Sequence, residues 1–228
     1  MAILSDASIR KEIEAGNIVL YDPDNDALRN IQNCSVDFTL GPNYFRINRK
    51  NNRIWINPWS KVHSCEYWGN TVNENGDITY NSFYAETITT ERESNVIDLP
   101  LNKQYIVLRA GETILGHTNE FIGGKNGITT MMKARSSLGR SNITVCRDAG
   151  FGDIGYINRW TLEITNNGPI SIILPVGLRI GQIAFFYTTE TETKYDSKYQ
   201  HTQELDKLVS EWKPSMMCPK LWNDKEVQ

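Results

Sequence analysis

Short hydrophobic runs rich in β-branched and aromatic residues recur along most of the chain, separated by polar stretches. They cover residues 18–21, 35–40, 44–47 and 54–56 and, further along, 105–108, 143–145, 160–165, 171–174 and 180–187. Glycine, proline, asparagine and aspartate separate the runs. Runs of this composition are typical of β-strands, and these four residue types favour tight turns. The pattern therefore predicts an all-β barrel or sandwich.

Two segments near the ends of the chain show helical spacing instead. At the N-terminal end, Ser5 can cap a helix, Ile9 and Ile13 share one face, and Gly16 supplies a stop. Near the other end, residues 202–212 place apolar side chains three or four positions apart (Leu205, Leu208, Val209 and Trp212). The sequence therefore predicts a short N-terminal helix and a short amphipathic helix in the C-terminal tail.

The segment 57–100 differs from both patterns. It is rich in asparagine, glutamate, threonine and serine, and it also carries aromatic residues (Trp59, Tyr67, Trp68, Tyr80, Phe83 and Tyr84). The polar content predicts a long excursion from the β core, whereas the aromatic side chains need a surface to pack against. We expect an insertion that packs on another part of the assembly, such as a neighbouring subunit.

Composition and charge narrow the class of protein. The chain has 228 residues, of which 39% are hydrophobic and 22% charged, as is ordinary for one globular core. A formal net charge of −3 argues against a general nucleic-acid binder, so an anionic ligand needs a local basic cluster. We expect no membrane span, because no stretch reaches roughly 18 apolar residues. We also expect no secretory signal, because the start lacks a basic and a long apolar region.

The cysteines and histidines do not form a metal-binding pattern. The four cysteines (Cys34, Cys65, Cys146 and Cys218) are far apart, and none of the three histidines is followed by x-Glu. Zinc-dependent nucleobase deaminases carry H-x-E together with P-C-x-x-C, so that class is excluded. Two disulfides are formally possible, but the spacing favours reduced thiols and a cytoplasmic protein.

Three neighbouring segments concentrate side chains that could carry chemistry. Residues 133–140 combine arginines with two serines, which suits a polyphosphate but is also typical of a solvated helix-capping turn. Residues 149–156 form a glycine-rich turn with one carboxylate, Asp153, which an ordinary β-turn would also contain. In the strand over 160–166, alternation separates Trp160, Leu162 and Ile164 from Thr161, Glu163 and Thr165. Glu163 then faces either solvent or a cavity.

A series of segments in a fixed order resembles the dCTP deaminase branch of the dCTP deaminase and dUTPase superfamily. They are residues 3–18, 34–41, 111–120, the Arg-Ser-Ser-Leu-Gly-Arg run 135–140, the Asp-Ile-Gly-Tyr turn 153–156, Thr-Leu-Glu at 161–163, 177–182 and 195–200. The resemblance covers roughly residues 1–56 and 101–203. It implies a distorted β-barrel or jelly roll of the dUTPase-like, β-clip type. Residues 1–190 would form that domain, including the insertion 57–100, and 191–228 a tail closing over the nucleotide.

The resemblance also implies roles for individual residues. Glu163 would be the general base for a water attacking C4 of cytosine, with Arg140, Ser136 and the Ala149 carbonyl orienting the reacting groups. Asp153, Tyr156 and Thr161 would bind the sugar and base. The triphosphate would be held by Arg135, Ser137, Gln182, Tyr195 and Lys198, with Mg²⁺ carried by the phosphates and no zinc.

The resemblance further implies a homotrimer with active sites between subunits, dCTP and dUTP as ligands, and dTTP as a feedback inhibitor. Two alternatives stay open. The same site could continue to dUMP and pyrophosphate, as a bifunctional enzyme or a dUTPase. The chain could instead be a non-catalytic nucleotide-binding regulator that uses the insertion as an interaction surface.

Overall fold

The computed structural model describes residues 2–193, 195–200 and 202–224. Its helices are α1 (Asp6–Glu14), α2 (Lys61–Tyr67), α3 (Glu91–Ile97), α4 (Ser136–Arg140) and α5 (Leu205–Glu211), with 3₁₀ turns at Ala27–Asn30, Pro214–Met217 and Leu221–Asn223. Its strands are β1 (Ile18–Tyr21), β2 (Ile31–Gln32), β3 (Ser35–Thr39), β4 (Asn43–Arg46), β5 (Thr71–Val72), β6 (Ile78–Thr79), β7 (Phe83–Tyr84), β8 (Glu86–Thr87), β9 (Gln104–Leu108), β10 (Thr113–Gly124), β11 (Ile128–Ala134), β12 (Ile143–Thr144), β13 (Phe151–Gly152), β14 (Ile157–Asn166), β15 (Ile172–Pro175) and β16 (Arg179–Tyr187).

Two larger antiparallel sheets form the body of the fold. The six-stranded sheet has the order β12-β14-β10-β4-β7, with β1 also pairing with β10, and the five-stranded sheet has the order β13-β11-β16-β3-β2. Their apolar faces contribute to one core, which includes Phe38, Trp160 and Phe185. The predicted mainly-β fold is confirmed, although the strands of the described residues lie in separate sheets rather than in one closed barrel.

The N-terminal helix is confirmed with its expected signals. The Ser5 side chain accepts a hydrogen bond from the backbone N–H of Ser8 at 3.3 Å, and Ile9 is fully buried. Gly16 follows the helix with φ of +75°, a conformation that glycine adopts without a Cβ clash. The helix predicted within residues 202–212 is also present as α5, which begins at Leu205 and ends at Glu211. None of the helices in the described part of the chain is both long and apolar enough to cross a membrane.

The strand predicted over 54–56 is wrong. Ile54 is 98% exposed and lies outside every strand. The Asn51 side chain accepts from the N–H of Arg53 at 3.0 Å, and the Asn57 side chain accepts from the N–H of Trp59 at 3.0 Å. These two asparagine turns confine the apolar run to three residues, which leaves it without a partner strand.

The segment 57–100 buries some of its aromatic side chains against the rest of the chain and leaves others exposed. Trp68 joins a small apolar cluster with Phe45, Leu115, Met217 and Cys218. The insertion therefore contacts the last described part of the tail, residues 202–224, which we call the C-terminal extension. The Asn70 side-chain amide contacts the Cys218 sulfur at 3.4 Å across the same contact. Other aromatic side chains of the segment remain substantially exposed, with Trp59 at 45%, Phe83 at 47% and Tyr84 at 58%. The expectation of a surface for the aromatic residues is therefore met in part by the extension, and packing on a neighbouring subunit stays a prediction.

Candidate active site

A cleft of about 480 Å³ opens between β14, the turn that precedes it, and the C-terminal tail. Its lining includes six of the residues singled out in the sequence: Ala149, Asp153, Tyr156, Thr161, Glu163 and Tyr195. Its lining also includes aromatic and apolar side chains: Leu115, which neighbours Glu163 on the same sheet, Trp68 from the insertion, and Trp212, Met216, Met217 and Pro219 from the extension. The cleft therefore joins the predicted chemistry to two segments that the family pattern did not explain.

Glu163 lies on the cleft face of β14. Trp160, Leu162 and Ile164 are buried in the core on the other face, as the alternation predicted. Directly across the strand pair, Leu115 of β10 stands opposite Glu163. One carboxylate oxygen, Oε2, is buried without a hydrogen-bond partner among the described residues. A buried carboxylate oxygen of this kind is costly unless another group, such as water or a substrate, pairs with it.

Burial raises the pKa of Glu163 above its ordinary value. The backbone N–H groups of Glu163 and Arg147 and the positive charge of Arg147 act in the opposite direction and lower that pKa. Desolvation is the largest of these effects, so the carboxylate is a stronger base than a solvated glutamate. A side chain of this kind suits general acid–base chemistry near neutral pH.

The turn before β14 shapes the other end of the cleft. Gly155 has φ of +97°, and its N–H donates to the carbonyl of Gly124 at 2.7 Å, which anchors the turn to β10. The N–H of Tyr156 donates to the Asp153 carbonyl at 3.0 Å, and the Tyr156 ring packs edge-on against Trp160 at 5.2 Å between centroids. The exposed Asp153 carboxylate and the Tyr156 ring therefore stand side by side at the mouth of the cleft.

The C-terminal tail lies against this turn. The side chain of Gln200 accepts from the N–H of Ile157 at 2.7 Å and donates to the carbonyl of Gly155 at 2.9 Å. Tyr195 packs against Tyr156, with ring centroids 6.0 Å apart. Lys198, a predicted phosphate ligand, does not line the cleft but pairs with the Asp224 carboxylate. The tail is thus already docked beside the cleft in a single chain.

The remaining predicted residues form a second group away from the cleft. Ser136, Ser137 and Arg140 lie on α4 and are exposed, and none of them lines the cleft. Arg135 caps this helix, and its Nε lies 3.5 Å from Asp37 Oδ2, which also binds Arg179 at 3.2 Å. Gln182 pairs in register with Asp37 on one side and Lys133 on the other. One chain therefore presents two partial sites, one acidic and aromatic, the other basic.

Sequence reasoning missed two arginines near the cleft. Arg159 lines it, with its guanidinium 4.7 Å from the Trp212 ring centroid and its Nε donating to the Asn119 carbonyl at 3.1 Å. Arg147 lies beside Glu163, as its effect on that carboxyl shows. Alternation along β14 already placed Arg159 on the face of Thr161 and Glu163, so that residue carried a usable signal. The position of Arg147 depends on a loop and carried none.

Comparison with known proteins identifies the family. A family model described as dCTP deaminase-like matches residues 3–188. A dCTP deaminase, dUMP-forming, from Methanothermobacter thermautotrophicus is 33% identical over 231 residues, covering 100% of this chain and 98% of its own. A dCTP deaminase from Haloarcula marismortui is 32% identical over 197 residues, covering 86% of this chain and 85% of its own.

Solved structures of a dCTP deaminase and a dUTPase align with parts of this chain. The 2'-deoxycytidine 5'-triphosphate deaminase from Agrobacterium tumefaciens aligns with a TM-score of 0.48 and 20% identity, covering 80% of this chain and 47% of that chain. The aligned part is thus less than half of the Agrobacterium protein. A native EIAV dUTPase aligns with a TM-score of 0.34 and 19% identity, covering 41% of this chain and 78% of its own.

The family model matches most of the length of the chain, and a relative is more than 30% identical along all of it. This chain belongs to the dCTP deaminase-like family. The family and the enzyme class that the sequence predicted are confirmed together, and the sheets described above confirm the mainly-β fold class.

Proposed function

We propose that the chain is a dCTP deaminase, which hydrolyses the bond between C4 and the amino nitrogen of cytosine and releases dUTP and ammonia. The observation that carries the proposal is the buried Glu163 carboxylate at the cleft, whose Oε2 has no partner among the described residues. Membership of the dCTP deaminase-like family supports the reaction class. The product would serve pyrimidine deoxynucleotide metabolism.

Glu163 acts as the general base in this scheme. Water attacks C4, and Glu163 accepts one of its protons and passes it to the amino nitrogen as the C–N bond breaks. The second water proton leaves the C4 hydroxyl as the carbonyl forms and ends on ring N3, so the products are dUTP and ammonia. Positioned proton transfer of this kind contributes about 10²–10⁴-fold to the rate. The Ala149 carbonyl, which lines the cleft, would hold the water from the other side.

Arg140 and Ser136 complete the reacting site. Arg140 is a permanent cation and would orient Glu163 and the ring, while the Ser136 hydroxyl would bind the attacking water or the tetrahedral centre. Both residues are exposed on α4, outside the cleft of their own chain. We therefore place them in the cleft of a neighbouring subunit, within a homotrimer.

The deoxyribose would bind at the mouth of the cleft. The exposed Asp153 carboxylate can accept a hydrogen bond from the 3′-hydroxyl, and the Tyr156 ring would pack beneath the sugar and disfavour a 2′-hydroxyl. Thr161 lines the cleft between Asp153 and Glu163 and would contact the base. Burial raises the pKa of Tyr156, so its hydroxyl stays neutral beside an anionic substrate.

The triphosphate would be held by Arg135, Ser137 and Gln182 of one subunit and by Tyr195 and Lys198 of another. The last two lie on the tail 191–228, which would close over the nucleotide and exclude water. Lys198 would exchange its Asp224 partner for phosphate. Mg²⁺ would accompany the triphosphate and neutralise part of its charge. Donor groups of this chemistry suit phosphate oxygens.

The cellular setting follows from the same family and from the thiols. All four cysteines lie in the described residues and are unpaired, which suits a reducing cytoplasm.

A dTTP molecule shares the sugar and triphosphate of dCTP, so it would compete for the cleft as a feedback inhibitor.

A second candidate reaction is continued hydrolysis to dUMP and pyrophosphate. The observation that favours it is the naming of relatives: those from Methanothermobacter thermautotrophicus and Methanobrevibacter smithii, aligned over nearly their full lengths, are named dUMP-forming. Asp153 lies at the sugar end of the cleft, where it would suit either reaction.

One assay separates these functions. The purified protein is incubated with dCTP and Mg²⁺, and dCTP, dUTP and dUMP are resolved by ion-exchange chromatography. Accumulation of dUTP with ammonia is the expected result, whereas dUMP from dCTP would establish the bifunctional reaction. A parallel incubation with dUTP identifies a dUTPase, and unchanged dCTP with retained nucleotide binding would establish the non-catalytic regulator.

The Glu163→Gln variant tests the assigned base. Gln keeps the shape of the side chain but cannot accept the proton, so we expect deamination to fall by at least about 10²-fold while the dissociation constant for dCTP changes little. Turnover is measured by ammonia release and binding by calorimetry. Full turnover in the variant would refute the role of Glu163.

A further inference from the structure

Arg147 is held firmly although it lies in a loop, between β12 and β13. Its guanidinium Nη2 donates to the Thr113 hydroxyl at 3.1 Å and to the Thr165 hydroxyl at 3.3 Å. The two hydroxyls are themselves 2.9 Å apart, because Thr113 and Thr165 are paired across β10 and β14. This arrangement fixes the end of a long side chain that solvent exposure would otherwise leave free.

The two threonines place the guanidinium on the face that carries Glu163. Thr165 follows Glu163 by two residues on β14, so both side chains project from the same face, about 7 Å apart along the strand. The backbone N–H of Arg147 also faces the Glu163 carboxyl, and the Arg147 charge acts on it. Side chain and backbone of one residue thus both favour a negative charge at Glu163.

Other groups around Glu163 do not offer this charge. Leu115, opposite on β10, is apolar. Cys146 of the loop and Tyr156 of the turn are neutral near pH 7, because burial raises the pKa of each. Asp153 and Arg159 also line the cleft, but among the neighbouring charges that of Arg147 has the largest effect on the Glu163 pKa. Arg147 is therefore the cation that acts most strongly on Glu163 among the described residues of its own chain.

We propose that Arg147 is a positioning residue: a fixed cation, supplied by the same chain as the base, that keeps the buried Glu163 ionised so that it can accept the proton of the attacking water. The inference rests on the proposed function and adds to it. Arg140 of a partner subunit would act on substrate orientation, whereas Arg147 sets the charge of the base before substrate binds. An arginine suits this task because it does not lose its proton in a protein.

The test is the pH dependence of dCTP turnover in a charge-removing and a charge-keeping variant. Without the Arg147 charge, the pKa of Glu163 rises, and a larger fraction of Glu163 is protonated and inactive at low pH. We expect Arg147→Gln to lower kcat about tenfold at the acidic end of the profile and by little at pH 9, because one pKa unit is a tenfold change in ionised fraction. Arg147→Lys should restore most of the activity at low pH.

Controls separate this charge effect from a change in shape. Arg92 is an exposed arginine on α3, far along the chain from the cleft, and Arg92→Gln should leave the whole profile unchanged. An equal loss for Arg147→Gln at every pH, without recovery in the Lys variant, would show a structural role and overturn the proposal.

A direct titration keeps this test independent of turnover. With ¹³C-labelled glutamate, the side-chain carboxyl resonance that disappears in Glu163→Gln belongs to Glu163. Its titration midpoint should lie at higher pH in Arg147→Gln than in the unaltered protein. An unmoved midpoint refutes the role of Arg147 even if dCTP is turned over, whereas a moved midpoint without any dCTP turnover refutes the proposed function alone.

Discussion

Two glutamates with buried carboxylate oxygens, on neighbouring strands of one sheet, have different surroundings. Glu163 on β14 leaves Oε2 without a partner in the described structure. Glu120 on β10 is fully buried, and it accepts hydrogen bonds from the Thr39 N–H at 2.9 and 3.1 Å and from the Thr39 hydroxyl at 2.9 Å. A satisfied carboxyl of this kind serves the fold, whereas an unsatisfied one at a cleft is available for chemistry.

Glu120 predicts a pH-dependent stability. Burial is the largest effect and raises the pKa of Glu120 to about 7. In the unfolded chain the same carboxyl has an ordinary, lower pKa, so the folded state binds the proton more tightly. The contribution of Glu120 to stability is therefore greatest at low pH, and it falls as pH rises from roughly 4.5 to 7, by up to about 3 kcal/mol at 1.36 kcal/mol per pH unit. Urea unfolding across pH 4.5–8 measures this loss.

The Glu120→Gln variant isolates that contribution. Because Gln does not titrate, the difference in unfolding free energy between the unaltered protein and the variant should decline with rising pH over the same range. Glu163 also has a raised pKa but is present in both proteins, so its contribution cancels. A difference that stays flat from pH 4.5 to 8 would contradict the assignment.

At the level of elements, the strand that carries Glu163 was predictable and its surroundings were not. Alternation along 160–165 correctly placed Glu163 on the face of the strand that points away from the core, because every second residue of a strand projects to the same face. Whether the other face meets solvent or a cavity depends on Trp68 and Trp212, which come from distant segments. The strand β10 shows the same limit: nearly all of its residues are buried on both faces, so its sequence does not alternate.

The aromatic wall of the cleft predicts a measurable cost when Trp212 is truncated. Its ring lies 4.6 Å from the His117 ring and 4.7 Å from the Arg159 guanidinium. It packs against the apolar cluster that contains Trp68 and against a second one formed by Phe121, Ile157 and Leu208. We expect Trp212→Ala to destabilise the protein by about 2–3 kcal/mol, somewhat below a fully buried tryptophan, and to raise KM for dCTP. Urea unfolding and initial-rate kinetics measure the two effects.

Trp55→Ala is the matched control for that variant. Trp55 is 68% exposed, so its removal should change the unfolding free energy by less than about 0.5 kcal/mol and leave KM unaltered. Equal effects of the two substitutions would show that the extension does not build the wall of the cleft.

At the level of the whole molecule, the predicted site residues divide into two groups. The resemblance to the family predicted the residues of both groups. The hydrophobic pattern could not show that the cleft residues and the α4 residues lie apart, because their distance depends on how the whole chain folds. Glu163 lines the cleft, whereas Arg140 is exposed on α4 and does not. In the proposed homotrimer a second copy would bring α4 to the cleft, and a closed ring of three copies would form three such sites.

Subunit mixing tests this arrangement directly. Glu163→Gln and Arg140→Ala should each be nearly inactive alone, since every site then lacks one group. In mixed trimers, a site is restored where an unaltered Glu163 from one variant meets an unaltered Arg140 from the other. Random mixing in equal amounts restores about a quarter of the sites, by the product of two one-half probabilities. Deamination rates before and after refolding the variants together provide the measurement.

The control mixture replaces Arg140→Ala with the double variant Glu163→Gln, Arg140→Ala. No subunit in that mixture carries an unaltered Glu163, so activity should stay at the level of the single variants. Native mass spectrometry verifies that mixed trimers have formed. If they form and the first mixture stays inactive, Glu163 and Arg140 must act within one chain, and α4 would have to move to the cleft. Recovery near a quarter, by contrast, requires that the two groups come from different chains.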